Sequence, residues 1–135
     1  MGWKFRTYVS QTGRSDVQNA IDSLREPVRE HFAVRVRYLA NTPRIDWRKP
    51  QAKKLQGVQD IYEIRFKAAN KQYRPLGYFG PEGDQFTILI WATKKDHVYD
   101  PAEAIGSASR RRKDVVERWV NVAPLTIDGE EFPPA

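Results

Sequence analysis

With 135 residues, 40% of them hydrophobic and 12% aromatic, the chain has enough apolar surface for one folded core and too little length for two. The absence of cysteine excludes a disulfide framework and a zinc–thiolate site, and the longest apolar run, Ile88 to Ala92, is far too short to span a bilayer. A net charge of +6 singles out polyanions as partners, either nucleic acid or an acidic protein.

The first residues, Met1-Gly2-Trp3-Lys4-Phe5-Arg6, lack the apolar stretch of a signal peptide, so a cytoplasmic protein with no membrane partner is expected. Trp3 to Val9 alternates as a strand does. Gln11-Thr12-Gly13-Arg14 reads as a turn, and Ser15 as the N-cap of a helix carrying Val17, Ala20, Ile21 and Leu24 on one face. Pro27 either kinks that helix or opens a second at its first turn. Val28, Phe32, Val36 and Leu39 form the apolar stripe that follows, with Arg29, Arg35 and Arg37 facing elsewhere, and Asn41-Thr42-Pro43 ends it.

Residues 42–60, rich in proline and lysine, read as an ordered but irregular connector. Ile61 to Lys67 then reads as a strand with Tyr62, Ile64 and Phe66 on one face and Ile61, Glu63, Arg65 and Lys67 on the other. A turn at 68–71 leads to a second strand, Gln72 to Phe79, in which Pro75 marks a bulge or an unpaired side. After the turn Gly80-Pro81-Glu82-Gly83-Asp84, the apolar segment Phe86 to Ala92 predicts a central strand covered on both faces. Asp100-Pro101-Ala102-Glu103 reads as the start of a last helix, with aspartate as cap and proline at its first position.

Charge divides the chain. Residues 121–135 hold Asp128, Glu130 and Glu131 and no basic residue, which leaves 23 basic against 14 acidic groups, or +9, in the first 120. One domain over 1–120 is predicted, followed by an acidic, proline-containing tail at 121–135 that packs loosely or not at all. The element order is β-α-α-β-β-β-α, an α+β arrangement of helices packed on an antiparallel sheet.

The two histidines, His31 and His97, belong to no cluster at metal-ligand spacing, and neither a phosphate-binding glycine loop nor a nucleophile elbow is present. No metal and no cofactor are therefore expected. A basic, aromatic surface on the late strands remains. If the turn at 68–71 sets Lys67 opposite Gln72, Arg65 lies opposite Arg74. Such a like-charge pair is tolerated when both are solvated, when a carboxylate such as Glu63 neutralises it, or when it receives a phosphate. Lys94-Lys95-Asp96-His97-Val98-Tyr99 reads as an exposed segment leaving the apolar strand, gathering two ammonium groups, an imidazole and a phenol. RNA cleavage through its own 2′-hydroxyl needs a base, an acid and positive charge at the phosphorus. His97 suits proton transfer near neutrality, whereas Tyr99 would serve only if neighbouring cations lowered its pKa. A plain loop histidine and a packing tyrosine are the alternatives.

Leu55-Gln56-Gly57, Ile61-Tyr62-Glu63-Ile64-Arg65-Phe66, Tyr73-Arg74, Phe86 to Trp91, Lys94-Lys95, Pro101 and Ala104-Ile105, taken in order, resemble the HigB-like, phage-derived branch of the RelE/ParE toxin superfamily. The likeness spans about residues 50–110. It implies a RelE-like fold with two N-terminal helices against an antiparallel sheet, and a metal-independent endoribonuclease of a toxin–antitoxin system that cuts mRNA on the ribosome. RNA, the ribosome and a cognate antitoxin are the implied partners. By the same resemblance Arg74 contacts phosphate and joins His97 or Tyr99 in catalysis, while Arg65, Lys67, Lys94 and Lys95 bind RNA. ParE-type relatives share the fold without nuclease activity, so a non-nuclease inhibitor or a phage-derived binding protein is the alternative.

Overall fold

The computed structural model describes residues 2–134. Helix α1 (Asp16–Asp22) begins at Ser15, whose side chain accepts a hydrogen bond from the Gln18 amide at 3.1 Å, an N-cap that satisfies one of the free first-turn donors. Pro27 lies in the first turn of a separate helix, α2 (Glu26–Ala40), where its missing N–H costs nothing. Val28, Phe32, Val36 and Leu39 are buried along α2, as their spacing requires. Helix α3 is Ala104–Val116.

A six-stranded sheet is built from β1 (Lys4–Val9), β2 (Ala52–Lys54), β3 (Tyr62–Ile64), β6 (Leu76–Phe79), β7 (Gln85–Ile90) and β10 (Asn121–Pro124) in the order β10-β1-β7-β6-β3-β2. Strand β7 is central and apolar because both its faces are covered. Phe86 packs with Phe5, Trp47 and Phe79 on one side. On the other lies α3, whose Arg111 donates to the Leu89 carbonyl and whose Arg112 stacks over Tyr78. A second sheet has four strands, β4 (Phe66–Ala68), β5 (Lys71–Tyr73), β8 (Thr93–Lys95) and β9 (Val98–Asp100), in the order β4-β5-β8-β9. One of its faces rests on α2, where the stacked rings of Phe66 and Tyr73 meet Phe32 and Trp91. A small hairpin, β11 (Thr126–Ile127) with β12 (Glu130–Glu131), follows. No helix among the described residues is long and apolar enough to cross a membrane.

The mixed α+β class is as predicted, and several elements differ. The strand expected over 61–67 breaks at Arg65, where the chain leaves the larger sheet for the smaller, and the Arg65 amide makes the last rung to the β2 side by donating to the Gln51 carbonyl. Ile61 to Ile64 are all buried, so alternation of a wet and a dry face does not hold there. The strand expected over 72–79 breaks at Arg74-Pro75, because Pro75 has no amide hydrogen to continue a ladder. The connector 42–60 contains a 3₁₀ turn, Arg44–Asp46, and strand β2, and Trp47 anchors it in the core. The exposed segment at 94–99 is a hairpin whose turn residues Asp96 and His97 both have positive φ, as a two-residue hairpin turn of the primed type demands. Asp100 therefore ends β9, and α3 starts at Ala104 instead of capping on Asp100. The main sheet is not purely antiparallel. The chain returns to β7 only after two helices and several strands, and β1 runs parallel to it. Nor is the segment after residue 120 loose: β10 pairs with β1, and Leu125 is fully buried.

Candidate functional site

The turn at Ala69-Asn70 sets Phe66 opposite Tyr73, Lys67 opposite Gln72 and Ala68 opposite Lys71, the register predicted from the turn. The ladder stops one residue short of Arg65 and Arg74, which occupy the seam where the chain passes between the two sheets. Across the smaller sheet the pairing continues from Gln72 to Lys94 and from Lys94 to Tyr99. Directly paired residues share a face, so Lys67, Gln72, Lys94 and Tyr99 form one row on the side away from α2.

Behind that row lies a carboxylate. Glu63 is completely buried, and its Oε1 accepts from Arg65 Nη1 at 2.6 Å and lies 3.7 Å from Arg74 Nε. The phenol of Tyr99 donates to its Oε2. Arg74 is itself 6% exposed; its Nη1 donates to the Tyr73 carbonyl at 2.8 Å and its Nη2 to Gln72 Oε1 at 3.0 Å. Burial lowers the pKa of Arg74, helped by the neighbouring Arg65 and opposed by Glu63. A buried carboxylate between two guanidinium groups is the arrangement that makes such burial tolerable.

In front of the arginines is an open groove of about 430 Å³. Its cations are Lys49, Lys53, Arg65, Arg74 and Lys94, and Asp96 is the one carboxylate among its lining residues. His97 completes the rim from the hairpin turn, where it is exposed. With Glu63 behind the arginines and Asp96 on the rim, five cations meet two carboxylates, and the net positive charge makes a concave surface suited to a polyanion.

The predicted residues thus separate. Arg65, Arg74, Lys94 and His97 meet at the groove. Lys67 is exposed in the same row without lining it, and Lys95, the next residue of β8 after Lys94, is exposed on the other face of the strand. Tyr99 is half-buried, its ring under the Lys94 ammonium at 4.7 Å. Burial and the hydrogen bond to Glu63 push its pKa well above the usual tyrosine value, although Arg74 and Arg65 pull the other way. The condition under which Tyr99 would exchange a proton near neutrality is therefore not met. Its geometry is that of a group positioning Glu63. Lys49 and Lys53 were not among the predicted residues; their signal was the lysine content of the 42–60 segment. The sequence offers Glu63 only as a neutralising partner, and the pairing of β2 with β3 sets Lys53 directly opposite it.

A family model described as "Phage derived protein Gp49-like (DUF891)" matches residues 19–113. That span contains every residue of the groove and ends before β10. No curated protein and no solved structure matches the chain.

Proposed function

Because the chain belongs to the phage-derived Gp49-like family, a family related to type II toxins of the RelE/HigB kind, we propose that it is a toxin with metal-independent endoribonuclease activity. In this reading it has the RelE-like fold, cuts mRNA on the ribosome and is restrained by a cognate antitoxin. The observation that carries the reading is the groove, where Lys53 on β2, Lys94 on β8, Lys49 just ahead of β2 and the two arginines at the strand breaks gather five cationic side chains, with one imidazole at the edge. The phosphodiester lies against Arg65, Arg74 and Lys94. The 2′-hydroxyl of the RNA attacks the adjacent phosphorus and loses its proton to water, and the bond to the 5′-oxygen breaks. His97 gives that leaving oxygen a proton, and the product retains a 2′,3′-cyclic phosphate. Negative charge developing on the phosphorane oxygens meets donors already in place, because Glu63 and Tyr99 fix the guanidinium groups beforehand.

The same clamp favours a second reading. Arg65 and Arg74 are both engaged by Glu63, which is how a structural ion-pair cluster in a non-nuclease, ParE-like inhibitor or phage-derived binding protein would look. Inducible expression with RNA 5′-end mapping separates the two. New mRNA ends that vanish in His97→Ala support the nuclease. Growth arrest without new ends, and unchanged in His97→Ala, overturns it in favour of binding alone.

A further inference from the structure

We propose that a second pocket, under the C-terminal end of α3, is a binding site for a phosphate group, separate from the groove. It has a volume of about 290 Å³, at the small end of ligand sites, and is lined by Arg44, Asp60, Tyr78, Gly80, Arg112 and Arg118 among others. None of these residues lines the groove described above.

Three observations converge. First, the charge is unbalanced. Asp60 takes Arg112 at 3.2 Å and Arg44 at 3.9 Å, and Arg118 has no ion-pair partner among the described residues. Three guanidinium groups thus line the pocket with one carboxylate, Asp60, and a second, Glu82, acts on Tyr78 from beside it. The helix end adds only about half a negative charge, so the pocket stays positive.

Second, the pocket holds polar atoms with nothing to bind. Tyr78 is 4% exposed, and its hydroxyl has no hydrogen-bond partner among the described residues. The Nε of Arg112 is likewise buried and unpartnered. Buried polar groups are nearly always satisfied, and orphans lining a cavity mark where a ligand or an ordered water completes the set. A phosphate oxygen accepts from a phenol and a guanidinium together, the donor set present here. Gly80 leaves the phenol open, since a Cβ at that position would sit 3.0 Å from its oxygen.

Third, Arg118 stands in a backbone conformation that most side chains avoid. Its φ is +63°, just past the α3 C-cap Glu117, the position where glycine is favoured. An arginine there places a cation at the pocket at the expense of local strain, a pattern that points to function.

The test uses the full chain and isothermal titration with inorganic phosphate against a chloride background of equal ionic strength. Three variants are compared. Arg118→Ala removes the exposed, unpaired cation. Asp60→Asn removes the competing carboxylate and is sterically mild, because asparagine tolerates the φ of +54° at that position. Lys94→Ala disables the groove alone. Phosphate affinity at this pocket should fall at least fivefold in Arg118→Ala, rise in Asp60→Asn and stay unchanged in Lys94→Ala. Titration with adenosine 5′-monophosphate identifies the source: tighter binding than inorganic phosphate assigns the site to a nucleotide, and equal or weaker binding to the free anion. A wild-type titration that is abolished by Lys94→Ala, or left intact by Arg118→Ala with Asp60→Asn no tighter, overturns the site while leaving the groove's function standing.

Discussion

Replacing Glu63 with glutamine keeps the volume of the side chain and removes one negative charge and one of two acceptors from the interior. With the amide oxygen kept toward Arg65, the amide nitrogen faces the Tyr99 hydroxyl, which can turn to accept from it, so the main loss is the charge between Arg65 and Arg74. Arg74 is 6% exposed and cannot turn to water for compensation. Breaking a buried pair by neutralising one partner typically costs about 3–5 kcal/mol, mostly because the other charge stays buried and unpaired. At this chain length about 4 °C of melting temperature accompanies each kcal/mol, so Glu63→Gln should melt roughly 12–20 °C below wild type. Freed guanidinium groups should also take up an external anion more readily. Phosphate at a hundred times its dissociation constant adds about 2.7 kcal/mol to whichever form binds it, so the gap between variant and wild type should narrow in phosphate. Differential scanning fluorimetry in chloride and in phosphate at matched ionic strength measures both effects. A shift under about 2 °C would show that Glu63 is not the charge partner holding the arginines. A full-sized loss that phosphate leaves untouched would show that the arginines do not face an anion.

Salt dependence tests the groove directly: for single-stranded RNA each phosphate neutralised adds about 0.7 to the slope of log affinity against log salt, so Lys49→Ala with Lys53→Ala should flatten the slope by about 1.4 in filter binding. An unchanged slope would place the RNA elsewhere. Tyr99 has a folded pKa raised above its unfolded value near 10, so its contribution to stability is complete below pH 10 and is lost as pH rises beyond it. Denaturant titrations from pH 9 to 11.5 should accordingly show a shallower alkaline decline in Tyr99→Phe than in wild type; equal declines would mean that the phenol is not held protonated by Glu63. Leu125→Ala should cost about 2–5 kcal/mol because the side chain is fully buried, measured by urea unfolding, and a loss below about 0.5 kcal/mol would return the C-terminal segment to the status of a loose tail.

Helix α2 was legible because Val28, Phe32, Val36 and Leu39 repeat at helical spacing and a single buried side then follows from geometry. The register of β4 with β5 was legible for a similar reason, since a short turn leaves only one way to pair Lys67 with Gln72. Strand β2 was not. It is three residues long, two of them lysines, and it exists only because β3 lies alongside, a non-local pairing with no local signature. Glu63 was misplaced for a deeper reason. Alternation puts it with Arg65 and Lys67 on a face that reads as wet, and its burial depends on Arg74 and Tyr99, which arrive from later in the chain. The candidate cations Arg65, Arg74 and Lys94 could be named from charge on the late strands, but which lysines join them is decided by where the 42–60 segment folds back.

The interruption of the strands at Arg65 and at Arg74-Pro75 makes the groove an articulation. Lys53 and Glu63 ride on the larger sheet, Gln72, Lys94, His97 and Tyr99 on the smaller, and the two arginines sit at the join. An aromatic wedge of Phe32, Phe66, Tyr73 and Trp91 packs behind it, on the opposite side of the smaller sheet. Close-packed interiors transmit a change of volume instead of absorbing it. A trimmed ring in that wedge therefore retunes the spacing between imidazole and guanidinium from behind, with no residue of the groove altered, and evolution can adjust the span of the cleft there while its charge stays constant.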